Sequence, residues 1–411
     1  SPSPNPNPNQ ARAFARMGGA APPSLEETVL LPAQRRTPSS APKPARLAQA
    51  DARSAAASPY LVMRVRREHV LSDCLDFLAE QSTANLLKPL RVIFEGEPAI
   101  DEGGVRKEFF QLLLEKLFQP EYGMWTYSAE TRTFWFPRGG GVGCGEAEYF
   151  LVGLAIGLAV HNSLILDLRL PPLLYRRLLN EPVGLSDLKE VDPGLARGLE
   201  ALLAHDGGGV EDIFCLDFAV EETSLLGEVT SHELVPGGAA IPVTEDNRAE
   251  YARLYTERVL GDGIKVQFDA FHQGFLLLCD GPALSFLSPT ELEELTCGET
   301  HLDFAQLRAG CRYDGFTASD QAVAWFWEVV DGFTPAEKRA LLLFATGCDR
   351  APIGGLEKLK FILQRSGPDS MALPTAHTCF NLLAMPAYAS RGKLRDRLTI
   401  AIHNAQGFGL Q

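Results

Sequence analysis

Apolar side chains alternate at Leu61, Met63 and Val65, the two-residue period of a strand, and from Asp73 the spacing turns helical. Arg91–Phe94 reads as a second short strand, Glu95–Gly104 as a turn-rich loop and Val105–Phe118 as a helix. Trp125–Phe136 sets a polar turn between aromatic arms, the pattern of a hairpin. Two helical runs fill Gly153–Leu179, broken at Pro171 and Pro172, and a further helix covers Leu195–Ala204. A glycine-rich turn follows at His205–Val210, and Leu225–Leu234 reads as an edge strand or hairpin arm. Thr244 is expected to open a long helix, with early acids and apolar positions at Tyr251, Leu254, Tyr255 and Val259. Thr296–His301 is polar and contains glycine between two apolar segments, as a hinge does. Beyond it, helices are expected at Asp320–Val330, Pro335–Leu343 and Lys393–His403, a turn at Thr346–Pro352, a strand at Leu356–Leu363 and a loop at Pro374–Leu382.

Composition separates the first 58 residues from the rest. They hold 10 Pro, 14 Ala and 7 Ser with Phe14 as the only aromatic, too little apolar surface to offset the entropy of ordering. This reads as a disordered tail or linker, or, with several Arg and no acid before Glu26, as an organelle-targeting peptide. The tail carries seven Lys or Arg against three acids, leaving 31 against 49 in the remainder, so the body stands at −18. An acidic body opposes nonspecific nucleic-acid binding and suits a basic protein partner. The eight cysteines form no CxxC pair, which favours reduced thiols in a cytoplasmic or nuclear setting and offers no zinc-ligand spacing. No metal is therefore expected. The longest apolar run, Phe150–Val160, falls short of the roughly 20 residues that span a bilayer and reads as a buried core helix. Gly139–Gly145 lacks the preceding strand and the Lys-Ser/Thr pair of a phosphate loop, so it reads as a surface loop.

The chemistry concentrates near the C-terminus. Leu373–Phe380, LPTAHTCF, sets Cys379 after His377 and Thr378. A thiol reacts as its thiolate, which needs a donor or cation nearby and access to solvent, and His377 and Thr378 are placed to supply these. His377 sits beside the thiol or shapes the loop. Equally, a cysteine next to Phe380, Leu382 and Leu383 is a small buried hydrophobe.

The tail LPTAHTCFNLLAMPAYASRGKLRDRLTIAIHNAQGFGL resembles the end of a HECT-type ubiquitin ligase. TGCDRAPIGGLEKLKF, IDEGGVRKEFFQLL, TFWF, GLAIGLAVHNSLILD and IPVTEDNRAEYARLY resemble the same family, so the likeness covers about residues 60–411. It is nearest to the papillomavirus E-six-associated ligase subgroup. The resemblance implies an α+β, bilobal fold. A larger, mostly helical N-terminal lobe covers 59–297, with a small partner-binding subdomain within about 180–255. A hinge at 298–301 then leads to a smaller α/β lobe at 302–411.

It also implies that Cys379 accepts ubiquitin as a glycyl thioester from a ubiquitin-conjugating enzyme, and that ubiquitin then passes to a lysine of a protein substrate. His377, Thr378, Arg350 and Phe408 are the supporting residues. Arg350 either orients the cysteine loop or makes a structural salt bridge. Carried over position by position, the groove for the conjugating enzyme uses Leu195, Leu199, Leu202, His205, Asp212, Ile213, Tyr251 and Tyr255. Here His205 replaces a family tyrosine. Leu195, Leu199 and Leu202 lie on one helix face, which serves equally as core or as groove. Glu211 and Asp212 at the rim suit a basic partner loop. Two rival readings are a docking module that binds a conjugating enzyme without transfer, and a cysteine hydrolase pairing Cys379 with His377 or His403.

Overall fold

The computed structural model describes residues 58–97, 104–138, 144–224 and 227–404. The tail, the acids Asp101 and Glu102 with Gly103, most of the Gly139–Gly145 stretch and Phe408 lie outside them. In chain order, strand β1 (Leu61–Val65) leads to helix α1 (Val70–Ala79), strand β2 (Leu90–Phe94) and helix α2 (Gly104–Leu117). Strands β3 (Thr126–Ser128) and β4 (Thr133–Trp135) form the aromatic hairpin, followed by α3 (Glu146–His161) and α4 (Pro172–Leu178). Then come α5 (Pro193–Ala204), α6 (Val210–Phe214), β5 (Ala219–Thr223), β6 (Val229–Glu233), α7 (Arg248–Leu260), α8 (Lys265–Cys279) and α9 (Pro289–Cys297). The last part runs α10 (Phe304–Gly310), β7 (Arg312–Asp314), α11 (Gln321–Asp331), α12 (Pro335–Thr346), β8 (Ile362–Gly367), β9 (Thr375–His377), β10 (Leu382–Pro386) and α13 (Arg391–Asn404). Helices and small sheets mix along the chain, an α+β fold.

Local chemistry sets the helix starts. Proline stands at the first turn of α4, α5, α9 and α12, where a missing N–H costs nothing. Ser288 with Glu291, and Thr334 with Glu337, close capping boxes on α9 and α12. Two expectations shift. Thr244 does not begin α7: its N–H donates to Asn247 Oδ1 at 2.8 Å, which folds 245–247 into a turn and delays the helix to Arg248. Leu356–Leu363 is not one strand. Leu356–Leu359 is a 3-10 turn, Lys360 takes a left-handed backbone at φ 54°, and extension begins at Ile362. The apolar period continues through Leu356, Phe361 and Leu363, all buried, so the pattern alone hides the break.

The chain forms two compact units, whose described residues fall within 115–154 and 169–285, and within 58–114, 155–168 and 286–404. In the first, α3 and α8 approach through glycines: a Cβ on Gly153 would lie 1.8 Å from the Phe271 carbonyl oxygen, and one on Gly274 2.0 Å from that of Phe150. Only hydrogen fits there. In the second, β1 and β2 pair in parallel, and a four-stranded sheet runs in the order β7-β8-β10-β9, parallel except for β9 against β10. Phe326, Trp327, Leu341, Phe361, Leu363, Met385, Leu394 and Ile402 fill the core beneath that sheet. Among the described residues no helix is long and apolar enough to cross a membrane, and no cluster of His, Cys, Asp and Glu could hold a metal.

The segment Thr296–His301 lies inside the second unit, so the division into units does not fall there. Glu299 and Ala351 exchange backbone hydrogen bonds of 2.7 and 2.9 Å, and Leu166 N–H donates to the Thr296 carbonyl at 2.9 Å. Gly298 takes φ +86°, and a Cβ there would meet the Ala351 carbonyl oxygen at 2.4 Å.

Candidate active site

Cys379 occupies a single 3-10 turn, Thr378–Phe380, between β9 and β10. Leu382 and His377 face each other in the antiparallel register, so the turn caps a short hairpin at the sheet edge. Asn381 closes it with φ 51°, a left-handed backbone that asparagine tolerates better than most side chains. Its N–H donates to the Thr378 carbonyl at 3.3 Å and its Nδ2 to the Leu359 carbonyl at 2.7 Å. The result is a half-buried thiol beside an exposed Phe380.

One helix braces this turn. Lys107 on α2 donates from Nζ to the Thr378 carbonyl at 3.1 Å, to Asn381 Oδ1 at 2.9 Å, and to the Thr346 carbonyl at the end of α12. At the start of α2, a Cβ on Gly104 would stand 2.9 Å from the Cys379 carbonyl oxygen, so the Cys379 backbone lies against the first helical turn. Burial raises the Cys379 thiol above its ordinary value and Glu108 adds to this, while the Thr378 hydroxyl and the Lys107 ammonium pull it down. Cys74 and Cys348 are different: burial pushes both up to about 12, and they are inert core thiols.

Of the supporting residues, Thr378 directly precedes the thiol in the same turn, and its hydroxyl favours the ionised form. His377 is exposed and makes no hydrogen bond to Cys379 among the described residues. That weakens a hydrolase pairing, and so does His403, whose Nδ1 bonds the Thr399 carbonyl one turn back on α13. Arg350 forms an ion pair with Glu293 on α9 at 2.8 Å and also faces the Gly298 carbonyl at 3.4 Å.

The expected groove residues lie in the first unit and divide sharply. Leu195, Leu199 and Leu202 are 8%, 3% and 1% exposed and Tyr251 is 2% exposed. They are core residues here and not a surface open to a partner. The physical reason is that α7 covers that face of α5. Arg248 of α7 donates to the Leu202 and His205 carbonyls, and Tyr251 packs edge-on to Phe218 and Tyr255. Ile213 is 43% exposed, Asp212 and Glu211 are exposed with it on α6, and His205 is half-buried with its ring edge-on to Phe214. Tyr255 is half-buried, its hydroxyl pushed up by burial. The accessible part of the expected groove is therefore the short α6 with its acidic rim.

Residues 111–411 match the family model described as HECT-domain (ubiquitin-transferase). The chain belongs to the HECT-domain family. It is similar to the mouse probable E3 ubiquitin-protein ligase HECTD2, 41% identical over 367 residues that cover 86% of this chain and 47% of that relative. The human probable E3 ubiquitin-protein ligase HERC3 is 41% identical over 357 residues, covering 86% of this chain and 34% of its own length. The probable E3 ubiquitin-protein ligase HUL4 of Eremothecium gossypii is 36% identical over 365 residues, 86% of this chain and 43% of the relative. The chain thus spans less than half the length of these curated relatives.

Within this HECT domain, sequence reasoning passed over Lys107, Asn381 and Thr346 although all three frame the Cys379 turn. Lys107 stands inside IDEGGVRKEFFQLL, a stretch read above only as a loop leading into a helix and as part of the family resemblance. Its partners lie 239, 271 and 274 residues away, beyond any local spacing rule.

Proposed function

We propose that this HECT domain is a ubiquitin-protein ligase with Cys379 as its acceptor. The Cys379 thiolate attacks the carbonyl carbon of the glycyl thioester that joins ubiquitin to a conjugating enzyme. A new S–C bond forms, the old one breaks, and the conjugating enzyme leaves as a thiolate. A lysine amine of a protein substrate then attacks the Cys379 thioester, forming C–N, releasing the Cys379 thiolate and losing a proton. Exchange between two thiols is near balance, so the reaction asks mainly for thiolate character and positioning, and no cofactor enters it. The observation that carries the reading is the half-buried thiol in a turn fixed by hydrogen bonds, at the first turn of a helix and near an ammonium.

Conjugating enzyme and ubiquitin are the proposed partners, with the exposed Ile213, Asp212 and Glu211 receiving the former and Tyr255 and His205 at their border. A hinge at Thr296–His301 and a role for Phe408 in placing the acceptor lysine belong to the same proposal. So do an affinity with the papillomavirus E-six-associated ligase subgroup, a cytoplasmic and nuclear setting, and little binding to nucleic acid. The test is a thioester trap with ubiquitin, activating enzyme, ATP and a panel of conjugating enzymes. The expected result is a reductant-sensitive ubiquitin adduct, absent in Cys379→Ala. Binding of a conjugating enzyme with no adduct from any of the panel would instead make the protein a docking module.

A further inference from the structure

We infer that Lys107 is a positioning residue for Cys379, its ammonium tying the turn that carries the thiol to the first turns of α2 and to the end of α12. The inference takes Cys379 as the acceptor proposed above. Three acceptors converge on Nζ from three separate segments: the Thr378 carbonyl immediately before the cysteine, Asn381 Oδ1 two residues after it, and the Thr346 carbonyl. An ammonium has three donors and no acceptor, so this set satisfies it fully. Asn381 is held on its other side by the Leu359 carbonyl, so its left-handed backbone, which turns the chain back into β10, is fixed from two directions. The peptide bracket around Cys379 is thereby closed at both ends by one side chain.

A lysine is an expensive way to hold a turn. Burial lowers its proton affinity, and the three oxygen acceptors around Nζ are what hold the ammonium there. An apolar side chain of the same length would avoid that desolvation, but would take this donor from the Thr346 carbonyl and the Asn381 amide oxygen and leave the Thr378 carbonyl with the Asn381 N–H alone. The charge also has an electrostatic use. The Cys379 backbone lies against the N-terminal turn of α2, where the helix dipole already favours negative charge, and Lys107 extends that field one turn further. The groups that face the thiol are few: Lys107 and Glu108 from α2 with opposite signs, and the Thr378 hydroxyl from its own turn, while Cys348 faces Lys107 from beyond α12.

The test compares wild type, Lys107→Met and Lys107→Arg in the full chain. Iodoacetamide modification of Cys379 is followed by peptide mass spectrometry from pH 6.5 to 10, with a thermal melt of each variant. Lys107→Met is expected to melt cooperatively, to alkylate Cys379 roughly tenfold more slowly at neutral pH, and to shift the midpoint of the profile upward by about one pH unit. Lys107→Arg, which keeps the charge, is expected to restore the midpoint. An unchanged midpoint in folded Lys107→Met would reduce Lys107 to a structural tie, and faster alkylation would make it a shield over the thiol; either overturns the inference. If Lys107→Met does not fold, Asn381→Gly removes one acceptor and keeps the left-handed backbone. Slower alkylation then supports the inference and an unchanged rate overturns it. Alkylation needs no conjugating enzyme, so a failure of the ligase reading would show in the thioester trap alone and leave this comparison decisive.

Discussion

The Cys379 turn and the α5–α7 region both carry residues that a sequence reader would single out, yet they present them in opposite ways. At the turn the marked residue is half-open, with its neighbours' polar atoms arranged around it. In α5 and α7 the marked leucines and Tyr251 are sealed in the core, while Ile213 on α6 is open to solvent. A chemical motif names the atom that reacts. An apolar period names only a face, and what covers that face is decided by elements far along the chain.

Truncating the sealed face should have the largest effect. Leu202→Ala is expected to cost about 2–5 kcal/mol of folding stability, read as a lowered denaturant midpoint, because it opens a cavity between α5 and α7. A loss below about 0.5 kcal/mol together with weakened binding of a conjugating enzyme would return Leu202 to the groove. The pH dependence of the turn comes next. Because burial raises the Cys379 thiol, the neutral form dominates near pH 7, and thiolate grows with alkalinity. Alkylation of Cys379 should therefore rise about tenfold per pH unit below its midpoint, with that midpoint above that of a free cysteine. A plateau already reached at pH 7 would contradict the burial argument. The smallest effect is expected at α6. Ile213→Ala should leave stability within about 0.5 kcal/mol while weakening a conjugating enzyme by about 1 kcal/mol in a titration. Unaltered binding would move the docking surface elsewhere.

Strands β1 and β2, the aromatic hairpin and most helices were legible because their periods and caps are local: Ser288 with Glu291 and Thr334 with Glu337 can be read off a page. Cys379 was singled out because HTCF and the tail around it resemble one family. Three things were not. The break at Lys360 hides inside an unbroken apolar period, since a left-handed residue leaves no mark unless it is glycine or asparagine. The delayed start of α7 depends on an asparagine that turns its side chain back onto Thr244. Lys107 meets its partners only after the chain has folded, so a charged residue in a helical pattern passes for a solvated one until Thr346, Thr378 and Asn381 are seen around it.

Replacing Cys379 by serine tests the central claim most directly, because it keeps the turn and exchanges sulfur for oxygen at the proposed acceptor. Incubated with activating enzyme, ATP, ubiquitin and a competent conjugating enzyme, Cys379→Ser should hold ubiquitin as an oxyester. That adduct should survive reductant, cleave in hydroxide and map to the peptide containing residue 379. A reductant-sensitive adduct that persists in Cys379→Ser and maps to another cysteine would contradict the account.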